Sequence, residues 1–121
     1  MYDHIGLQVN NLDASVAFYE AALAGFGYKL CARDATSAGF GPPDQPALWL
    51  YASTRPAGGA HVAFQARDRA TVDRFFQRGL EAGGRDHGKP GLRADYAPTY
   101  YAAFLLDPDG NNVEAVTMKA P

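Results

Sequence analysis

Along the chain, large apolar residues first alternate with polar or small ones and then recur at helical spacing, and this sequence of patterns occurs twice. In HIGLQV, Ile5, Leu7 and Val9 alternate with His4, Gly6 and Gln8, the period-two signature of a strand with two unlike faces. HVAFQA repeats it, with Val62 and Phe64 on one face and His61, Ala63 and Gln65 on the other. A capping residue follows each strand, Asp13 in the first copy and Asp68 or Thr71 in the second. Helical stripes come next, Val16, Tyr19 and Leu23 in one copy and Val72, Phe75, Phe76 and Leu80 in the other. Gly25 with Gly27, and Gly83 with Gly84, supply helix stops.

The two copies align without a gap at a shift of 57, the difference between positions 61 and 4. His4 meets His61, Gln8 meets Gln65, Phe18 meets Phe75, Leu23 meets Leu80 and Gly27 meets Gly84. The chain is therefore expected to be two copies of one supersecondary unit. Behind each helix lie further strand candidates. The first copy offers YKLCAR, a passage AGFGPPDQP that reads as loop, and ALWLYAS. The second offers a looser stretch through DHGKPGLRADYAPT and then YYAAFLLDPDGNNVEAV, a hairpin turning at Asp107 to Gly110. Each unit is approximately β-α-β-β-β, module one at about 1–55 and module two at about 58–118, within one α+β domain spanning 1–121. Two such sheets, each with a helix on one face, can join edge to edge and curl their open faces around a cup. His4 and His61 would then face one another.

Composition narrows the function. Hydrophobic residues make up 47% and charged residues 20%, the balance of a soluble globular protein. Eleven basic against thirteen acidic residues give a formal net charge of −2, without a basic run, so no nucleic-acid partner is expected. The start, MYDHIGLQVNNLD, has neither a basic nor an apolar leader region, and the expectation is a cytoplasmic protein without a membrane span. The single cysteine, Cys31 in YKLCA, reads as packing.

Glu114 stands among Val113, Ala115 and Val116, where a carboxylate is costly to bury unless a cation holds it. Two histidines and a carboxylate on different strands facing one cup would suit a divalent metal with open coordination positions. Singly, each has a plainer reading: His4 and His61 as surface residues, Glu114 as an outward residue of an edge strand. The repeat favours the metal reading because it puts the two histidines at equivalent positions.

These stretches resemble the vicinal oxygen chelate superfamily, which groups glyoxalase I, extradiol dioxygenases, fosfomycin-resistance enzymes, methylmalonyl-CoA epimerase and the bleomycin-resistance proteins. DHIGLQVNNLDASVAFYEAAL is similar to its opening strand and helix, GAHVAFQA to the start of its second module, and DPDGNNVEAV to its closing hairpin. The resemblance implies paired βαβββ modules in a glyoxalase-like, cup-shaped mixed sheet and a metal held by His4, His61 and Glu114. The metal would be divalent, iron, manganese, zinc, nickel or cobalt. It also implies a homodimer and a small substrate with neighbouring oxygens, handled by lyase, isomerase or dioxygenase chemistry. The alternative is a non-catalytic binding protein of the bleomycin-resistance type. Where glyoxalase I has a glutamate that binds metal and moves a proton, this chain has Trp49 in ALWLY, which argues against glyoxalase I activity. Tyr100, Tyr101 and His87 are the candidate catalytic side chains, one of the two tyrosines entering the cup. Trp49, Tyr51 and Arg93 are the candidates for contact with substrate.

Overall fold

The computed structural model describes residues Met1–Pro121. The order is β1 (Ile5–Val9), α1 (Leu12–Leu23), a 3-10 turn (Ala24–Phe26), β2 (Lys29–Arg33), β3 (Ser37–Gly41) and β4 (Leu48–Ala52). The second half runs β5 (His61–Gln65), α2 (Arg69–Glu81), β6 (Arg85–Leu92), β7 (Tyr101–Leu106) and β8 (Asn112–Thr117). The strands form two four-stranded mixed sheets, β1-β4-β3-β2 and β5-β8-β7-β6. In each, the first strand lies parallel to the last of its module and the remaining pairs are antiparallel. The parallel pairing follows from the helix after the first strand, which carries the chain over the sheet before it returns.

Local chemistry sets the helix ends. Asn11, rather than Asp13, caps α1, its side chain accepting from the Ala14 amide at 3.0 Å. Asp13 lies in the first turn, where its charge complements the helix dipole, and it pairs with Arg33. Asp68 caps α2 as expected, accepting from the Thr71 amide at 2.8 Å and the Thr71 hydroxyl at 2.7 Å. Gly27 (φ 77) and Gly83 (φ 103) take the left-handed conformations that stop the two helical segments.

One stretch expected as a loop, and one expected only as a looser stretch, are well-formed strands. Ser37–Gly41 overlaps AGFGPPDQP, yet Ala38 and Phe40 are fully buried against α1 and pair with Leu50 and Leu48 of β4. Two glycines disguise its alternation, and Gly39 lies directly under the Trp49 ring. Arg85–Leu92 forms β6, an eight-residue edge strand on β7. Its register breaks around Gly88, and an edge position tolerates Pro90.

The core is one cluster of 20 buried residues drawn from both modules. The modules meet through their helix-bearing sides: Phe18 of α1 packs against Gly79 and Gly84. No ladder joins the two sheets. The last hairpin fastens them further. Asp107, buried in its turn, accepts from the amides of Asp109 and Asn111, from Asn111 Nδ2 and from the Tyr19 hydroxyl of α1. Asp109 accepts from the Asn10 amide at 2.9 Å. With the helices committed to the core, the opposite face of each sheet stays partly open, and there Gln8, Tyr51, His61 and Gln65 are exposed.

Candidate functional site

The open face of the second sheet gathers unlike chemistry on adjacent strands. Glu114, in the middle of β8, pairs across the ladder with Ala63 of β5 and Phe104 of β7 and is only 2% exposed. His61, at the head of β5, directs Nε2 to within 3.2 Å of Glu114 Oε1. The His61 Nδ1 lies 3.0 Å from the main-chain oxygen of Asn112, its ladder partner. A carbonyl can only accept, so Nδ1 carries the proton, and in the neutral ring the Nε2 lone pair points toward the carboxylate. The other carboxylate oxygen, Oε2, accepts from the Tyr100 hydroxyl. Burial, then that carboxylate, push the Tyr100 phenol up to about 12, so it remains a donor at neutral pH.

Of the two candidate tyrosines, Tyr100 is therefore the one at the site. Tyr101 turns to the helix side, donating to Asp73 at 2.6 Å beneath the Arg69 guanidinium; the strand's period-two alternation separates the neighbours. Phe104 forms a wall: its ring lies near parallel to His61 at 6.4 Å between centroids, and the Arg93 guanidinium sits 5.4 Å from its centre. His87 and Arg93 border the same region, with Tyr96, Phe104 and Asn112, around an open hollow of about 270 Å3. Sequence reading did not single out Phe104, Tyr96 or Asn112. Asn112 was legible in principle, since it stands two residues before Glu114 and so shares its face.

The first module carries the remaining candidates. His4, just before β1, is exposed and pairs with its neighbour Asp3 at 2.6 Å. Trp49 and Tyr51 stack at 6.4 Å between centroids on the open face. His4 does not join His61 and Glu114, and no three His, Cys, Asp or Glu side chains converge anywhere in the chain. The edge-to-edge arrangement that would have brought the histidines together is replaced by contact through the helices.

Within one chain, then, two donors converge. An imidazole nitrogen with its opposite N–H fixed by a carbonyl, beside a buried carboxylate held by a phenol, fits a divalent ion: both ligands are oriented by partners that do not compete for the metal. Two protein donors are fewer than the three usual in a catalytic centre.

The chain matches the family described as Glyoxalase/Bleomycin resistance protein/Dioxygenase superfamily over residues 2–115. Among solved structures, a glyoxalase/bleomycin resistance protein from Albidiferax ferrireducens T118 is similar at 28% identity and TM-score 0.84, covering 100% of this chain and 99% of that one. A glyoxalase I E144Q mutant from Zea mays is similar at 25% identity and TM-score 0.72, over 95% of this chain and 46% of that one. The lactoylglutathione lyase of Agrobacterium tumefaciens shares the fold at 23% identity and TM-score 0.68, over 97% and 92%. No curated protein matches the chain. No helix is long and apolar enough to cross a membrane. With the paired βαβββ modules and the family match covering nearly its whole length, the chain belongs to the glyoxalase/bleomycin resistance protein/dioxygenase superfamily.

Proposed function

We propose that the chain is a metal-dependent enzyme acting on a small substrate with neighbouring oxygens, by lyase, isomerase or dioxygenase chemistry. One observation carries this reading: His61 Nε2 and Glu114 Oε1 approach to 3.2 Å on an open face while the other atom of each group is tied to a fixed partner. A divalent ion of iron, manganese, zinc, nickel or cobalt bound there would supply Lewis acidity to the substrate oxygens. The Asn112 carbonyl keeps the His61 ring in one orientation, Tyr100 holds Glu114 to a single free oxygen, and Phe104 gives the site an apolar wall.

The third ligand is His4, contributed by a second copy of the chain. Exposure of His4 and of the open sheet faces supports this, as does the shortage of donors within one chain. The protein is accordingly a homodimer whose metal centres lie between copies.

Mixing two variants tests this. His4→Ala and His61→Ala, each purified alone, should bind almost no divalent ion. Unfolded together and refolded as a mixture, they should regain about one ion per four chains, because only mixed dimers restore one complete centre. No rescue, with dimers confirmed by sedimentation, would mean that the ligands are not shared. A second reading, a non-catalytic binder, is favoured by the stacked Trp49 and Tyr51. Wild-type protein purified without chelators and found free of metal would support it.

A further inference from the structure

The apolar core does not close completely where the two modules meet. Phe18, Phe40 and Phe75 are at most 1% exposed, whereas Phe26, Tyr28 and Phe64 are only partly buried. Phe26 joins the other two rings, stacking on Tyr28 at 5.6 Å between centroids and meeting Phe64 edge to face at 6.0 Å. The internal repeat sharpens the contrast. At the shift of 57 the counterpart of Phe64 is Leu7, which is buried. The second module thus puts a larger ring at the equivalent strand position and covers it less.

Beside these rings lies a half-enclosed cavity of about 160 Å3. Ile5, Phe40 and Leu48 of the first module line it together with Tyr28, and Val62 and Phe64 line it from the second. Ile5 pairs with Leu48, and Leu48 with Phe40, across adjacent ladders, on the face opposite Trp49. The cavity therefore belongs to the helix side of the sheets and not to the open face that carries Glu114. Tyrosine hydroxyls apart, its polar side chains are Asp3 and His4, which pair with each other at 2.6 Å and are exposed at the mouth.

That lining selects its guest. A water held in a cavity needs about two to four polar partners, whereas an apolar cavity of about 150 Å3 takes up benzene. One six-membered ring matches the volume, and half-covered aromatic walls favour a further aromatic ring over an aliphatic one. A charged group would lose its hydration against such walls, and an anion would meet Asp3 at the entrance. We propose that this cavity, at the seam between the modules, is a binding site for an uncharged single-ring aromatic molecule whose one polar substituent stays at the mouth beside Asp3 and His4. The site is separate from the His61–Glu114 pair and does not rest on the enzyme reading. Its walls come from both modules, so a guest that binds only the folded chain holds them together and raises the unfolding midpoint.

The test uses the full chain without added metal and amide NMR titrations with benzyl alcohol, cyclohexylmethanol and benzoate. Benzyl alcohol should bind saturably and raise the unfolding midpoint. It should shift the amides of Ile5, Tyr28, Leu48 and Val62 and leave those of Gly88 and Arg93, in the hollow on the open face, unmoved. Cyclohexylmethanol, similar in size but without a π-face, should bind about two- to tenfold more weakly. Benzoate should bind at least about tenfold more weakly. Ala47 lines the cavity from an exposed position, so Ala47→Leu should fold, fill part of the space and lose benzyl alcohol binding. His61→Ala should keep it. Equal binding of benzyl alcohol and benzoate to the wild type overturns the proposal whatever the variants do, as do shifts confined to Gly88 and Arg93. Cyclohexylmethanol binding as tightly as benzyl alcohol overturns the aromatic assignment. An affinity that falls as protein concentration rises would show that a second copy fills the cavity, and that too overturns the proposal.

Discussion

The hydroxyl of Tyr19, on the first module's helix, donates to the carboxylate of Asp107, in the second module's closing turn, across 2.5 Å. Both groups are at most 1% exposed. Burial first, and the neighbouring carboxylate second, push the phenol far above its ordinary value and keep it a donor. This bond joins elements 88 residues apart, so the two halves of the repeat are tied by a polar contact as well as by the core. Replacing Tyr19 with Phe keeps the ring and its edge-to-face packing on Phe18 but strips one donor from a buried carboxylate. The expected cost is about 1–3 kcal/mol in chemical unfolding. A change near zero would show that water replaces the hydroxyl.

Gly79 marks the other contact between the modules. A Cβ there would come within 2.3 Å of Leu105 Cδ1 and 3.3 Å of Phe18 Cε1, with both neighbours fully buried. Alanine in mid-helix ordinarily gains about 1 kcal/mol over glycine, whereas overpacking a filled core costs about 1–3 kcal/mol. The clash involves two core side chains at once, so it should win. Gly79→Ala is expected to lower the unfolding midpoint, and an increase would show that Leu105 can swing aside freely.

The cap of α2 gives a pH dependence. The Thr71 hydroxyl and then the Thr71 amide, hydrogen-bonded to Asp68, hold its carboxyl below the ordinary 3.8. A carboxyl lowered in the folded state stabilises above its unfolded value, and the contribution disappears as pH falls through the folded one. Wild type should therefore melt higher than Asp68→Asn at neutral pH, and the gap should close below about pH 3.8. A gap constant down to pH 2 would mean that geometry, and not charge, makes the cap.

Much of the fold was legible because the repeat carries its own register. His4 over His61 and Leu23 over Leu80 fixed two modules, and the polar–apolar alternation of β1 and β5 identified the faces. Ser37–Gly41 and Arg85–Leu92 escaped because glycine and proline remove the side chains whose alternation identifies a strand, and ladder pairing with β4 and β7 overrides that local preference. In the site, His61 and Glu114 meet because β5 and β8 pair in parallel with both residues on the open face. The separation of His4 was not legible: it depends on how the modules dock, and the helix-to-helix contact around Phe18, Gly79 and Gly84 is a tertiary fact that no local pattern encodes.

Trp49 bears most directly on the reaction. It stands opposite Gly6 on the β1–β4 ladder, as Glu114 stands opposite Ala63 on the β5–β8 ladder, and Gly6 and Ala63 are equivalent in the repeat. The first module thus places an indole on the rung where the second places a carboxylate. An indole can neither bind a divalent ion nor take a proton from carbon, so turnover of the methylglyoxal–glutathione hemithioacetal should be very weak in the wild type; a missing positioned base costs about 100- to 10,000-fold. Trp49→Glu should raise that rate and tighten divalent-ion binding, because the new carboxylate would stand on the open face of β4, the strand paired with β1, which His4 precedes. Some stability should be lost along with the Tyr51 stack and the cover over Gly39. The paired assay of metal-loaded wild type and variant decides the matter. Robust wild-type turnover that survives His87→Ala and Tyr100→Phe would show that the chemistry needs no base at this rung.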